Sequence, residues 1–259
     1  MTPLFWAAVL LYAVATVLYL GFLVGLPDRL APWARWALGL GFIVNLCEIG
    51  ARGVAGLHPV SSVRETIGFL AWVAVGVFLF MERKRPLPAV GAVVAPGSLV
   101  LLLAARLSPE ADSTNLAMGV VGRVHILLAA IGISFFAVAA SSALLYLLEE
   151  RQLKRRRLTT VVKRGAALET LDRVAHRYVL IGFPIFTVAL VAGVWWSAKI
   201  ASSLRPEHVI AAVAWVAFAV VLVARVTAGW RGRRAAEITL FGFAATLVVL
   251  AFYLVRAVT

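Results

Sequence analysis

The stretch EERQLKRRRLTTVVKRGAALETLDRVAHR, residues 149–177, is the longest polar interval in an otherwise apolar chain and holds nine of its 25 lysines and arginines. Apolar runs long enough to cross a bilayer, which takes about 20 residues, lie on both sides of it. Basic loops between membrane spans stay on the cytoplasmic side. The stretch therefore predicts a basic cytoplasmic loop, and its position sets the side on which every other loop lies.

The composition is that of a polytopic membrane protein. Of the 259 residues, 63% are hydrophobic and 14% are charged, and the mean hydropathy is +0.96. Soluble domains are about 45–50% apolar and about 25% charged. The net charge of +13 is spread over short loops, without a soluble basic domain that could form a groove, which excludes nucleic acid as a partner. The lipid bilayer is the predicted partner instead.

The apolar runs predict an all-α bundle of eight transmembrane helices in one domain, residues 1–259. The predicted spans are 4–26, 36–54, 66–80, 88–105, 121–148, 178–200, 207–228 and 238–255. Pro96 and Pro184 lie inside spans and predict kinks, because proline removes a helix hydrogen bond.

The charge distribution predicts the orientation of the bundle. With the basic stretch inside, 17 lysines and arginines fall on the cytoplasmic side and seven on the other. The first ten residues contain no lysine or arginine, so they lack the basic start of a signal peptide. We therefore expect an uncleaved first span, both termini outside, and a location in the bacterial inner (cytoplasmic) membrane.

Histidines are the first candidates for chemistry. The predicted spans place His58, His125 and His208 near the outer surface and His176 at the cytoplasmic edge. Imidazole binds haem iron, zinc and copper through one nitrogen, while the other needs an orienting partner. Two of these histidines could hold one iron if their helix ends adjoin. The alternative is that each ring simply lies in the membrane interface.

Arginines and tryptophans near the same surface could contact a cofactor. Arg64 follows His58 in an outer loop, and Arg123 stands two residues before His125. Such an arginine could hold a carboxylate, such as a haem propionate, or extend to lipid headgroups. Trp195 and Trp196 are interpreted as interfacial anchors or as an aromatic platform against a flat macrocycle. Trp215 flanks the same predicted loop and has the same two interpretations.

One ion pair is predicted inside a span. Glu48 and Arg52 are four residues apart and so share a helix face. Ionisable groups inside a membrane usually face the protein interior or a water-filled path. The pair is therefore either part of a cofactor or ion site, or a self-neutralising pair near the outer boundary.

Several other sites are excluded by the motifs that the sequence lacks. Cys47 is the single cysteine, which excludes a disulfide framework, a CxxC pair and a thiolate zinc site. The chain contains no HExxH motif, so a metallohydrolase is not indicated. Ser61 and Ser62 are interpreted as helix-cap residues.

Four segments, taken in order, resemble the cytochrome c assembly membrane proteins of the CcsA/HemX type, over roughly residues 36–256. They are GLHPVSSVRETIGFLAW (56–72), VHILLAAIGISFFAVAASSALLYLLEERQLK (124–154), LDRVAHRYVLIGFPIFTVALVAGVWW (171–196) and AGWRGRRAAEITLFGF (228–243). The resemblance implies a role in cytochrome c biogenesis, with haem as the cofactor and His125 and His58 as its iron ligands. Arg123, Arg64, Trp195 and Trp196 are the further candidates for contact with it.

The chain also departs from that family pattern. The loop after the sixth span, WWSAKIASSLRPEH, keeps two tryptophans but has no Trp-Asp pair. Ala224 stands where the family has a histidine near the inner end of the seventh span, and the family's last histidine has no counterpart. His208 matches no ligand position of the family.

Three functions are compatible with these observations. The first is a divergent HemX-like or CcsA-like protein that binds or handles haem at the outer face, without a catalytic step of its own. The second is a non-catalytic scaffold or regulatory subunit that docks other membrane-complex subunits through the basic loop. The third is a transporter, for which Glu48 and the two internal prolines are the only support.

Overall fold

The computed structural model describes residues 3–57, 59, 62–84, 87–108, 119–155, 166–200 and 206–258. Within these ranges the chain is all α-helical, as predicted, and eight helices are long and apolar enough to cross a membrane. The helices are α1 (Pro3–Val24), α2 (Leu30–Val54), α3 (Val63–Lys84), α4 (Pro88–Leu107), α5 (Val120–Lys154), α6 (Leu168–Ile200), α7 (Pro206–Thr227) and α8 (Arg233–Val258).

The ends of the basic stretch are helical, where the sequence predicted a loop over 149–177. Helix α5 continues to Lys154, and α6 already begins at Leu168. Ion pairs one helical turn apart support both extensions, with 2.8 Å between Lys154 Nζ and Glu150 Oε1 and 2.8 Å between Arg173 and Glu169. Helix α2 likewise begins at Leu30, before the predicted position 36. The apolar run marks the part of a helix that can lie in lipid, and it does not mark where the helix ends.

The bundle consists of two four-helix groups. In the first, α1 packs against α2 and α4, and α3 packs against α4. In the second, α5 packs most extensively against α6, and α8 packs against α5 and α7. Contacts of α3 and α4 with α5 join the groups. One buried apolar cluster runs through both, with Tyr12 and Phe78 from the first group and Phe136 and Phe218 from the second.

Glycines allow α5 and α6 to approach each other closely. A methyl group on Gly132 would lie 3.2 Å from the backbone nitrogen of Phe186. A methyl group on Gly182 would lie 2.8 Å from the Cβ of Phe135. Small residues allow close helix packing in a membrane, where backbone contact replaces the hydrophobic effect as the source of association.

Alternating helix directions give the bundle two distinct ends. The end that carries the first turns of α3, α5 and α7 and the last turns of α6 and α8 is called the cavity end below. The opposite end carries the last turn of α5 and the first turn of α6, and it is called the basic end.

Candidate functional site

A cavity of about 280 Å³ lies at the cavity end, surrounded by α3, α5, α6, α7 and α8. Its walls are mainly apolar side chains, such as Ile67, Leu70 and Ile133. Both His125 and His208 line it, together with Glu207 and Trp196. A largely apolar cavity with a few polar groups is the usual form of a small-molecule site.

The His125 ring is held by the backbone of α6. Its Nδ1 lies 2.6 Å from the carbonyl oxygen of Ala189. A carbonyl only accepts hydrogen bonds, so Nδ1 donates and Nε2 carries the free lone pair of the neutral ring. Metal-binding histidines are commonly oriented in this way, by a carbonyl that bonds the nitrogen not used for the metal.

Two glycines make room for this arrangement. A methyl group on Gly193 would lie 2.5 Å from His125 Cε1 and 2.7 Å from its Nδ1. On the opposite helix, a methyl group on Gly122 would lie 3.0 Å from the Trp196 ring. On both α5 and α6, a glycine thus lies against an aromatic ring of the other helix. Without Gly193 the His125 ring would have to move, and without Gly122 the Trp196 ring would have to shift by a few tenths of an ångström.

His208 reaches the same cavity from the first turn of α7. Pro206 is the first residue of that helix, a position that suits proline because its missing N–H would have no helical partner. Glu207 follows and is almost fully buried. The side chains of His125 and His208 both border this one cavity. The structure therefore brings together two of the predicted histidines.

Of the remaining two histidines, the structure describes only His176. His58, a predicted iron ligand, is outside the described residues. His176 lies on α6 at the basic end, as the sequence predicted. Most of the length of α6 separates His176 from the cavity, so His176 cannot bind the same iron as a histidine of the cavity.

The other predicted cofactor contacts are only partly gathered at the cavity. Trp196 lines it, whereas its neighbour Trp195 is half exposed. Arg64 is buried in the first turn of α3, and Arg123 is half-buried in the first turn of α5. Neither arginine is among the described residues that line the cavity. Their contact with a cofactor stays a prediction.

The predicted Glu48–Arg52 pair belongs to a larger cluster. Arg52 Nη1 lies 3.5 Å from Glu48 Oε1, and Nη2 of the same guanidinium bonds Glu65. Glu65 is positioned by Ser62, whose Oγ accepts the Glu65 N–H at 3.2 Å and caps α3. The Ser-x-x-Glu spacing is a helix-start signal that could have placed Glu65. The cluster joins α2 to α3 outside the cavity lining, which favours a self-neutralising, structural role.

At the basic end, an ion pair that the sequence analysis did not identify joins three parts of the chain. Asp172 of α6 accepts hydrogen bonds from Arg225 of α7 at 2.8 and 3.2 Å and from the Gly232 N–H at 2.9 Å. A space of only about 10 Å³ remains beside them, next to His176 and Tyr146. Arg225 could have indicated this ion pair in the sequence, because an arginine within an apolar span needs a counter-charge.

Trp215 has a different position from the one that the sequence suggested. It lies in the middle of α7, and its indole N–H donates to Thr187 Oγ1 of α6 at 2.9 Å. It also packs against the Phe183 ring, with 5.4 Å between centroids. This position in the middle of the helix fits neither of the two interpretations, an interfacial anchor or a cofactor platform. The contacts of Trp215 indicate that it joins α6 to α7.

The donor set suits haem iron better than a protein-bound metal ion. In the described ranges, no group of three or more histidine, cysteine, aspartate or glutamate side chains could hold a metal ion. Structural zinc takes four protein ligands, whereas haem iron needs only one or two. An oriented imidazole, a second imidazole and apolar walls meet that smaller requirement, so the residues present fit a haem.

Comparison with known proteins points in the same direction. Residues 60–259 match the family of cytochrome c assembly proteins. Among similar proteins are the cytochrome c biogenesis protein CcsA of Synechococcus elongatus, 29% identical, and that of Guillardia theta, 26% identical. The first alignment covers 78% of both chains, and the second covers 80% of this chain and 78% of the relative. The CcsA protein of a Synechocystis strain is 26% identical, covering 82% of this chain and 83% of the relative.

Proposed function

Because the chain belongs to the cytochrome c assembly protein family and takes part in cytochrome c biogenesis, we propose that its task there is to bind haem in the cavity, at the outer face of the membrane. The observation that carries this proposal is the state of His125. Its Nδ1 is bonded to the Ala189 carbonyl, which leaves Nε2 as the nitrogen that can bind iron.

The cavity walls support the same ligand. Haem supplies an iron whose reduction potential depends on its protein ligands and on the polarity around it. The walls are mainly apolar, as the face of a macrocycle requires. The volume of about 280 Å³ lies just below the usual range of small-molecule sites, which begins at about 300 Å³.

The charge distribution supports the outer location. The cavity end is opposite to the ends of α5 and α6 that carry the basic stretch. Basic segments are retained on the cytoplasmic side. By that rule the cavity opens towards the outer face, which is where we propose that haem is bound.

A scaffold or regulatory subunit without haem is the second candidate. The observation that favours it is the basic end, where Arg225 bonds Asp172 and Ala224 replaces the histidine that the family pattern has there. A chain that closes this end with an ion pair could keep the bundle and serve other subunits through its basic stretch. The two candidates differ in whether the cavity holds haem.

An absorbance spectrum of the detergent-purified protein, oxidised and then reduced, tests the proposal. We expect a Soret band and sharpened reduced bands at close to one haem per chain. His125→Ala should remove most of this haem while the protein stays folded, because the oriented imidazole is lost. His176→Ala, at the other end of the bundle, is the matched control and should keep it.

A wild-type spectrum that stays free of haem bands after haem is added would overturn the haem proposal and favour the scaffold. Full haem retention in His125→Ala would overturn the assignment of this ligand.

A further inference from the structure

We infer that His208 is the second protein ligand of the haem iron, together with His125. This inference rests on the proposed haem binding at the same cavity. The sequence placed His208 near the same surface as His125, but the family resemblance gives the second ligand position to His58, which is outside the described residues. The role of His208 follows from the way in which α7 is placed in the bundle.

The first argument is shared location. His125 comes from the first turns of α5 and His208 from the first turn of α7, and both line one cavity. Two imidazoles that border the same apolar space can both bind one iron. Two imidazoles in separate sites could not.

The second argument concerns the other side chains that bind haem iron in proteins, which are cysteine, methionine and tyrosine. Cys47 is exposed on α2, and Met81 is buried near the last turn of α3, at the opposite end from the cavity. Neither lines the cavity. Tyr253 of α8 does line it and is the competitor of His208 among the described residues.

The third argument is the local backbone. Pro206 begins α7 with a fixed φ, so the direction of the first turn is set before His208 is reached. The neighbouring Glu207 is almost fully buried. His208 is therefore part of a packed helix start, and its ring is presented to the cavity by a defined element.

Two histidine ligands have a chemical consequence. An iron held by two imidazoles has no vacant position for a small molecule such as oxygen. A haem bound by His125 and His208 would therefore be held for transfer and protected from side reactions. Both iron–histidine bonds would have to break before such a haem could leave the cavity.

The test compares the absorbance and electron paramagnetic resonance spectra of haem-loaded variants. The wild type should show low-spin iron with two imidazole ligands. His208→Ala should convert most of the bound haem to a high-spin form, and added imidazole should restore the low-spin signal. His208→Met should stay low-spin with a higher reduction potential, because methionine raises the potential of a histidine-bound haem. Tyr253→Phe tests the competing ligand and should stay low-spin, and His176→Ala, at the basic end, is the matched control and should resemble the wild type.

The outcomes separate the inference from the proposed function. If His208→Ala binds haem and keeps an unchanged low-spin spectrum, the second ligand is another residue, and the haem proposal stands. If Tyr253→Phe alone becomes altered, Tyr253 is that ligand. A wild type that binds no haem overturns both.

A second measurement needs no haem. In a Cys47→Ser background, the double variant His125→Cys/His208→Cys should be bridged by a short bifunctional thiol reagent, whereas His125→Cys/His176→Cys should not. Failure of the first pair to cross-link in folded protein would overturn the shared site.

Discussion

The cavity end and the basic end share helices α5–α8, with α3 added around the cavity, yet they are filled differently. At the basic end Asp172 and Arg225 satisfy each other, and about 10 Å³ of space remains. At the cavity end His125 and His208 border about 280 Å³ with mainly apolar walls. The polar residues at the basic end hold helices together, while those at the cavity end border the space in which we propose that haem binds.

The largest effect is expected from breaking the ion pair at the basic end. Asp172→Ala leaves Arg225, whose side chain is 14% exposed, without its carboxylate. Breaking a buried ion pair from one side costs about 3–5 kcal/mol, which is the upper bound for this partly buried pair. We expect a large fall in the unfolding temperature of the detergent-solubilised protein. The haem content per folded chain should stay unchanged, because the ion pair is remote from the cavity.

The double variant Asp172→Ala/Arg225→Ala is the control for this prediction. It removes both charges and should be more stable than Asp172→Ala alone. A single variant that unfolds like the wild type would show that the ion pair does not hold the basic end together.

A smaller effect is expected at the cavity end from Gly193→Ala. The new methyl group would meet the His125 ring at 2.5 Å, and such overpacking costs about 1–3 kcal/mol. Because the ring is pushed from the Ala189 carbonyl, haem content should fall more than stability does. Both quantities are measured on the same preparation, by absorbance and by thermal unfolding.

Gly50→Ala is the matched control, since a methyl group there meets no atom within 4 Å. It should leave haem content unchanged and stabilise the helix slightly. Equal haem content in the two glycine variants would contradict the role of Gly193 in placing His125.

The smallest effect is expected between the two ends. Trp215→Phe removes the hydrogen bond to Thr187, which contributes about 1 kcal/mol, and keeps most of the ring packing. The unfolding temperature should fall slightly, and the haem spectrum should stay the same. Trp33→Phe, on an exposed ring of α2, should change neither quantity. A haem spectrum altered by Trp215→Phe would extend the cavity site towards the middle of the bundle.

The helices were predictable from the sequence because a run of about 20 apolar residues has few alternatives to a membrane helix. Their charged extensions, such as 149–154 and 168–177, were not, since hydropathy reports on lipid contact alone. Glu48 and Arg52 were predictable as a pair from their spacing on one helix. The partners Glu65 and Asp172 were missed because they come from other helices, and their position depends on how the bundle packs.

The same limit applies to the candidate site. His125 could be identified from its residue type and from the family resemblance, but its bond to Ala189 depends on how closely α6 approaches. That approach depends in turn on Gly193. The residue type of a glycine does not indicate such a role in the sequence. The proximity of His208 follows from the placement of α7 and has no counterpart in the local sequence.

The lengths of α5 and α6 have a consequence outside the bilayer. With 35 and 33 residues at 1.5 Å each, the two helices are about 50 Å long, whereas the membrane is about 40–45 Å thick with its headgroups. Their last and first turns at the basic end are charged, so we expect the excess length to lie at that end, beyond the headgroup layer.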